Sequence, residues 1–205
     1  MKRFLVRWEP ENFACRDRAE AALRDVAQGL GLARKIGHVT VRVRPRPAGD
    51  EAIVAWREGR SRVSLRLEID LGNFLTPGGR RALGRTPMGA CDLPRRRYSD
   101  RAARATFLHE LSHVADALRH GIDSSGLPRG RWAPFNEVWN VWIDGRLSRR
   151  GEPGLLKRER WAAFRHTFWH RGRARVGSRH IFDRLWRAER LSQRDLLEAV
   201  ELLVG

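Results

Sequence analysis

Two histidines four residues apart, His109 and His113, together with Glu110 form the pattern HExxH inside the stretch ATFLHELSHVADALRHG, residues 105–121. On a helix, positions i and i+4 lie about 40° apart around the axis and about 6 Å along it, so both imidazoles can reach one ion from one face. Zinc takes two histidine nitrogens readily, and a third protein ligand with one open position makes such a site catalytic rather than structural. Glu110, offset by one residue, can then approach the zinc-bound water as a general base without ligating. With seven histidines and thirteen glutamates in 205 residues, the pattern arises by chance in roughly one or two per cent of such sequences. The competing interpretation is a pair of ordinary polar residues on an amphipathic helix.

The surrounding sequence must supply that helix and something to hold it. Ser99 and Asp100 offer N-cap chemistry, Phe107, Leu108, Leu111, Val114 and Leu118 recur at helical spacing, and Gly121 gives a stop, so a helix of about six turns is expected. Upstream, Ala22, Leu23, Val26, Ala27 and Leu30 mark a first helix within residues 17–33. Val39, Val41 and Val43 alternate with Thr40, Arg42 and Arg44 until Pro45, AIVAW (52–56) is a short second run, and Val63, Leu65, Leu67, Ile69 and Leu71 alternate with polar residues. The pattern is a helix followed by three strands. Residues 72–98, rich in glycine and proline, read as a long irregular connection of the kind that is functional or mobile. Downstream, DSSGLPRGRWAP is turn-rich, FNEVWNVWIDGRLSRR reads as a helix, and residues 155–204 read as two or three helices broken near Gly172 and Gly177.

In these features the chain resembles the zincin metallopeptidases, on His109, Glu110 and His113 and on the order of helix, strands and helix. The resemblance implies an α+β fold, with an N-terminal helix and a small twisted three-stranded sheet over the HExxH helix and a helical C-terminal part behind. Residues 1–150 would form the catalytic core and 151–205 a helical extension packed on it as one domain. It also implies one zinc ion per chain and hydrolysis of peptide bonds in a peptide or protein substrate.

The third ligand decides the branch. The metzincin pattern wants a glycine and a histidine at positions that here hold Asp116 and Arg119, and His120 comes one place late, about 10 Å along the helix from His113. The gluzincin pattern wants a glutamate on a later helix. Glu137 is the first glutamate downstream, and Asn136-Glu137 resembles the pair that opens the third-ligand segment of thermolysin-like enzymes; their aspartate four residues on is Val141 here. Asp144, on the same face two turns past Glu137, is an alternative ligand or a hydrogen-bond partner for a ligand histidine, and Asp116 is a second such partner. His166 and His170 stay open as ligands, although RHTFWH lies among aromatic residues and reads first as a packed helix. Tyr98, His120, Arg146 and His166 are candidates for stabilising an oxyanion.

The formal charge is +17, and of 41 basic residues only Lys2, Lys35 and Lys157 are lysine. Such an excess favours polyanionic partners, so nucleic acid binding through an arginine-rich surface is a second expectation; a proteome biased towards arginine would give the same charge. That expectation brings in resemblance to the SprT-like proteases, which act on DNA-bound proteins, as an alternative. A non-catalytic zincin fold serving as a binding module is another, disfavoured by the intact Glu110. Cys15 and Cys91 show no ligand spacing and fit a reducing compartment, and no run approaches the ~20 apolar residues of a membrane span, so a cytoplasmic protein without membrane contact is expected. Oligomeric state is not legible.

Overall fold

A computed structural model of the chain describes residues 4–46, 52–58, 62–85, 89–168 and 177–204. It is an α+β protein whose chain divides into two compact units, residues 1–115 and 116–205. The division falls inside the HExxH helix.

The first unit opens with a strand, β1 (Leu5–Glu9), then α1 (Arg16–Gly29), β2 (Ile36–Arg44), β3 (Ala52–Glu58) and β4 (Val63–Asp70). The sheet has four strands, not the three expected, in the order β1-β2-β4-β3. β1, β2 and β4 are parallel and β3 is an antiparallel edge. β1 escapes a sequence reading because it spans five residues and buries only Trp8 fully. Pairing it parallel to β2 requires a crossover, which α1 supplies.

Alternation in β2 and β4 does what the sequence suggests. Val39, Val41, Val43, Leu65, Leu67 and Ile69 are buried on one face, and charged residues occupy the other. In register across that second face, Glu9 accepts from Arg42 Nε at 2.9 Å and Asp70 accepts from Arg44 Nε at 2.9 Å. Opposite charges on facing positions stabilise a sheet by a few tenths of a kcal/mol to about 1 kcal/mol a pair.

The connection over 72–98 is more ordered than its glycines suggest. It holds a helix, α2 (Pro77–Arg85), and three short 3-10 turns at Leu71–Phe74, Ala90–Asp92 and Arg95–Arg97. Pro77 sits at the first helical position, where its missing N–H costs nothing, and Thr76 Oγ1 accepts from the Gly79 N–H at 3.1 Å. Arg80 Nε donates to the Gly72 carbonyl at 2.8 Å, closing the segment on itself.

α3 (Asp100–His120) begins and ends where expected: Ser99 Oγ accepts from the Ala102 N–H at 3.1 Å, and Gly121 takes φ +63°, open to glycine at little cost. Its residues Ala103, Phe107, Leu111 and Val114 are buried, as are Ala19, Leu23, Val26 and Ala27 of α1. Arg18 donates to both oxygens of Asp100, at 3.1 and 2.5 Å, and Arg104 pairs with Asp25, so two ion pairs tie α1 to α3. Phe74 and Phe107, with ring centroids 5.9 Å apart, fill the space beneath the first half of α3.

The second unit takes the end of α3 and four further helices: α4 (Arg129–Arg149), α5 (Lys157–Phe168), α6 (Ser178–Arg187) and α7 (Gln193–Val204). α4 packs against the other three. It starts six residues earlier than the sequence suggested, because Pro134, read as a boundary, lies inside it. Trp161, Phe164 and Phe182 meet with centroids 5.0 to 5.5 Å apart, one pair stacked and two edge to face, and Phe168 lies 4.6 Å from Phe164; Trp169 and His170 of RHTFWH lie outside the described residues. Among the described residues no helix is long and apolar enough to cross a membrane.

Candidate metal centre

His109 and His113 lie on consecutive turns in the middle of α3, with ring centroids 5.2 Å apart and planes at 71°. That distance can be tested against the ion. With Zn–N near 2.0–2.1 Å, each imidazole centre stands about 3.2 Å from the metal, and a tetrahedral angle separates the two centres by about 5.2 Å. The separation is compatible with two zinc ligands, and it is also the ordinary separation of side chains four apart on a helix. His113 and Glu110 are buried and His109 is half-buried. Ser112, between the histidines, returns its hydroxyl to the Leu108 carbonyl at 2.6 Å and is taken up by the helix.

The carboxylates singled out in the sequence belong to the second unit. Glu137 and Asp144 are seven residues apart on α4, hence on one face, and both are buried. They share a guanidinium: Arg160 of α5 donates through Nε to Asp144 Oδ2 at 2.6 Å and through Nη1 to Glu137 Oε2 at 3.4 Å. Burial works against the charge of Arg160, but the two carboxylates beside it outweigh that and hold its pKa above the ordinary arginine value. Of the two bonds that Arg160 makes to these carboxylates, the one to Asp144 is the shorter.

Asp116 has another occupation. It accepts from Arg146 Nη1 at 2.8 Å and Nη2 at 2.5 Å and from Trp139 Nε1 at 3.0 Å, pinning the last turn of α3 to α4. Its carboxylate serves a guanidinium and an indole where an imidazole had been considered. The same bonds remove Arg146 from the oxyanion candidates, since its plane also lies 4.0 Å above the Trp142 ring. Tyr98 sits at the opposite end of α3 from the histidines, with Asp100 about 13 Å along the axis from His109. Its ring stacks on Phe74 under the Arg18 guanidinium, and burial pushes its phenol well above the usual tyrosine range. That makes it a core residue. His166 is exposed on α5, His120 lies with its ring centroid 6.5 Å from Trp142, and His170 falls outside the described residues.

Sequence reasoning missed Arg160. The available signal was its place four residues before Phe164, on the buried face of α5. Among the described residues, no group of three or more histidine, cysteine, aspartate or glutamate side chains is gathered closely enough to hold a metal ion. Compared with known proteins, the chain matches no family model, no curated protein sequence and no solved structure.

Proposed function

We propose that this chain is a zinc-dependent peptidase of zincin type, in which His109, His113 and Glu137 hold one zinc ion and Glu110 is the general base. The observation that carries the reading is the 5.2 Å spacing of the two imidazole centres, which is that of two tetrahedral zinc ligands, with a buried carboxylate at the position between them in sequence. When bound, zinc supplies a Lewis acid that polarises the scissile carbonyl and acidifies water. The two histidines present neutral nitrogens to it from one helix face. Glu110 takes the proton of the attacking water on a carboxylate oxygen and delivers it to the amide nitrogen as the C–N bond breaks. Glu137 is proposed as the carboxylate of the set on the resemblance of Asn136-Glu137 to the third-ligand segment of thermolysin-like enzymes.

The test is metal content by elemental analysis, paired with cleavage of an unfolded protein. Wild type and Glu110→Gln should each carry about one zinc, with cleavage lower in the variant by roughly a hundredfold to ten-thousandfold, the range general acid–base catalysis contributes. Equal cleavage by the two proteins would remove Glu110 from its role, and failure of the wild type to take up zinc would remove the site.

A further inference from the structure

We propose that the outer face of the α5 and α6 pair binds the phosphate backbone of duplex nucleic acid through Arg158, Arg165, Arg184 and Arg187. The face lies wholly within the second unit and does not depend on zinc. The two helices meet through Trp161, Phe164 and Phe182. Lys157 pairs with Asp183 and Arg179 lies over Trp161, so the helices run antiparallel. α4 covers one side of both: Arg160 bonds to its carboxylates, and the Trp186 backbone abuts its Gly145. On the side away from α4, Arg158 and Arg165 are exposed seven residues apart on α5, and His180, Arg184 and Arg187 are exposed within about 60° on α6. Packed helix axes lie about 8–10 Å apart, so the two stripes form one surface.

The acids nearby are engaged with other groups. α5 and α6 carry seven lysine and arginine residues but only Glu159 and Asp183. Asp183 is held by Lys157 at 2.7 Å and by Arg179 at 3.1 Å, and Arg160 is matched by the carboxylates of α4. Glu159 accepts the Leu156 N–H at 2.9 Å, at the start of α5. Asp195 of α7 lies near Arg184 and accepts the Ser192 N–H and hydroxyl, each at 2.7 Å. That leaves four arginines on one face as its excess charge. Guanidinium groups suit phosphate oxygens because their donors match them in pairs. Arg158 and Arg165 span about 10 Å of helix axis, roughly three phosphate steps of one duplex strand. The outward positions of both helices hold no tryptophan, tyrosine or phenylalanine, so the face serves backbone contact and not base stacking. A lipid surface would need apolar side chains to bury, and within these two helices the exposed apolar residue is Ala162. Leu155 and Leu156, exposed just before α5, make anionic vesicles the competing probe.

The experiment is fluorescence anisotropy of a short labelled DNA duplex of mixed sequence with the full chain. Four phosphate contacts predict a loss of affinity of about a hundredfold between roughly 50 and 200 mM salt. Arg158→Gln, Arg165→Gln, Arg184→Gln and Arg187→Gln together should weaken binding at low salt at least about tenfold and flatten the salt dependence by about three to four contacts. The control removes the same charge from four exposed arginines of the first unit, with Arg34→Gln, Arg81→Gln, Arg96→Gln and Arg101→Gln, and should stay within about threefold of wild type. If the first quadruple variant is not folded by circular dichroism, the Arg158 and Arg165 double variant and the Arg184 and Arg187 double variant are measured separately, and each should remove about half of the effect. Equal losses in the two quadruple variants would mean that binding follows net charge, and would overturn the proposal. So would a wild type that does not bind the duplex, or one that binds phosphatidylserine vesicles and leaves the duplex free.

Discussion

Asp116 offers the sharpest separation between a structural and a metal-related role. Its carboxylate, 2% exposed, accepts three hydrogen bonds, two from Arg146 and one from the Trp139 indole. Asp116→Ala leaves a largely buried guanidinium without its counter-ion, at about 3–5 kcal/mol, and an indole N–H without an acceptor. Arg146 retains its place over Trp142 and some access to water, which puts the net cost near the lower end, about 3–4 kcal/mol. At about 2–4 °C per kcal/mol for a chain of this length, the melting temperature should fall by roughly 6–16 °C. Zinc affinity, measured well below that transition, should stay within about twofold of wild type, since ten- to a hundredfold is what the loss of a ligand-orienting group produces. Removing both partners is the internal control. Asp116→Ala with Arg146→Met should be less destabilised than the sum of the single variants, because exchanging a buried ion pair for apolar groups is close to neutral. Thermal unfolding and chelator competition on the same four proteins decide the matter. An unchanged melting temperature together with a tenfold loss of zinc affinity would refute the reasoning and return Asp116 to the histidines.

Two further perturbations probe the second unit. A side chain at Gly145 would collide with the backbone carbonyl of Trp186, which also accepts from Arg149, so Gly145→Ala should force α6 away from α4 and cost about 1–3 kcal/mol in urea unfolding; wild-type stability would mean that the two helices do not approach so closely. Burial raises the pKa of Asp183, but hydrogen bonds from Lys157 and Arg179 outweigh it and hold the carboxyl below its ordinary 3.8. A carboxylate depressed in the folded state contributes stability above its unfolded pKa and loses it as the pH falls through the folded one. Asp183→Asn should thus be less stable than wild type at pH 7, by no more than about 1 kcal/mol, with the gap closing below pH 3.8. A gap that stayed constant down to pH 2.5 would contradict the assignment.

What could be read in the sequence was whatever had a local physical cause. α3 is bounded by a serine cap and a glycine in the left-handed region, both visible as residue types, and β4 announces itself by four alternating apolar residues. β1 and α2 were hidden for opposite reasons. β1 is too short to show a period, and each of its residues pairs with one more than thirty residues away. α2 carries three glycines, which argue against a helix, and it is held by Thr76, Pro77 and the bond from Arg80 to Gly72. Thr76-Pro77 was the available clue, a cap residue followed by a proline at the first helical position. Within the site, the histidine pair and its glutamate were legible because ligand geometry maps directly onto helix spacing. Arg160 was not, because one buried arginine looks like its neighbours in a segment where eleven residues of 155–190 are basic.

That difficulty bears on the meaning of the positive charge. Arg146 takes both oxygens of Asp116 while lying on Trp142, and Arg160 joins Asp144 to Glu137. These pairs use carboxylates and leave the net charge as it was. Arg80 and Arg149 differ: Arg80 donates to the carbonyl of Gly72, and Arg149 to those of Trp186 and Ala188, where the chain leaves α6. Each spends its guanidinium on backbone carbonyls, a role that divergent donors fill and an ammonium does not. Affinity for a polyanion follows the number of phosphates contacted and the counterions released, and net charge does not measure either. The arginine excess is thus compatible with a nucleic-acid partner but does not argue for one, while the spacing of His109 and His113 makes a specific chemical claim that metal analysis can decide.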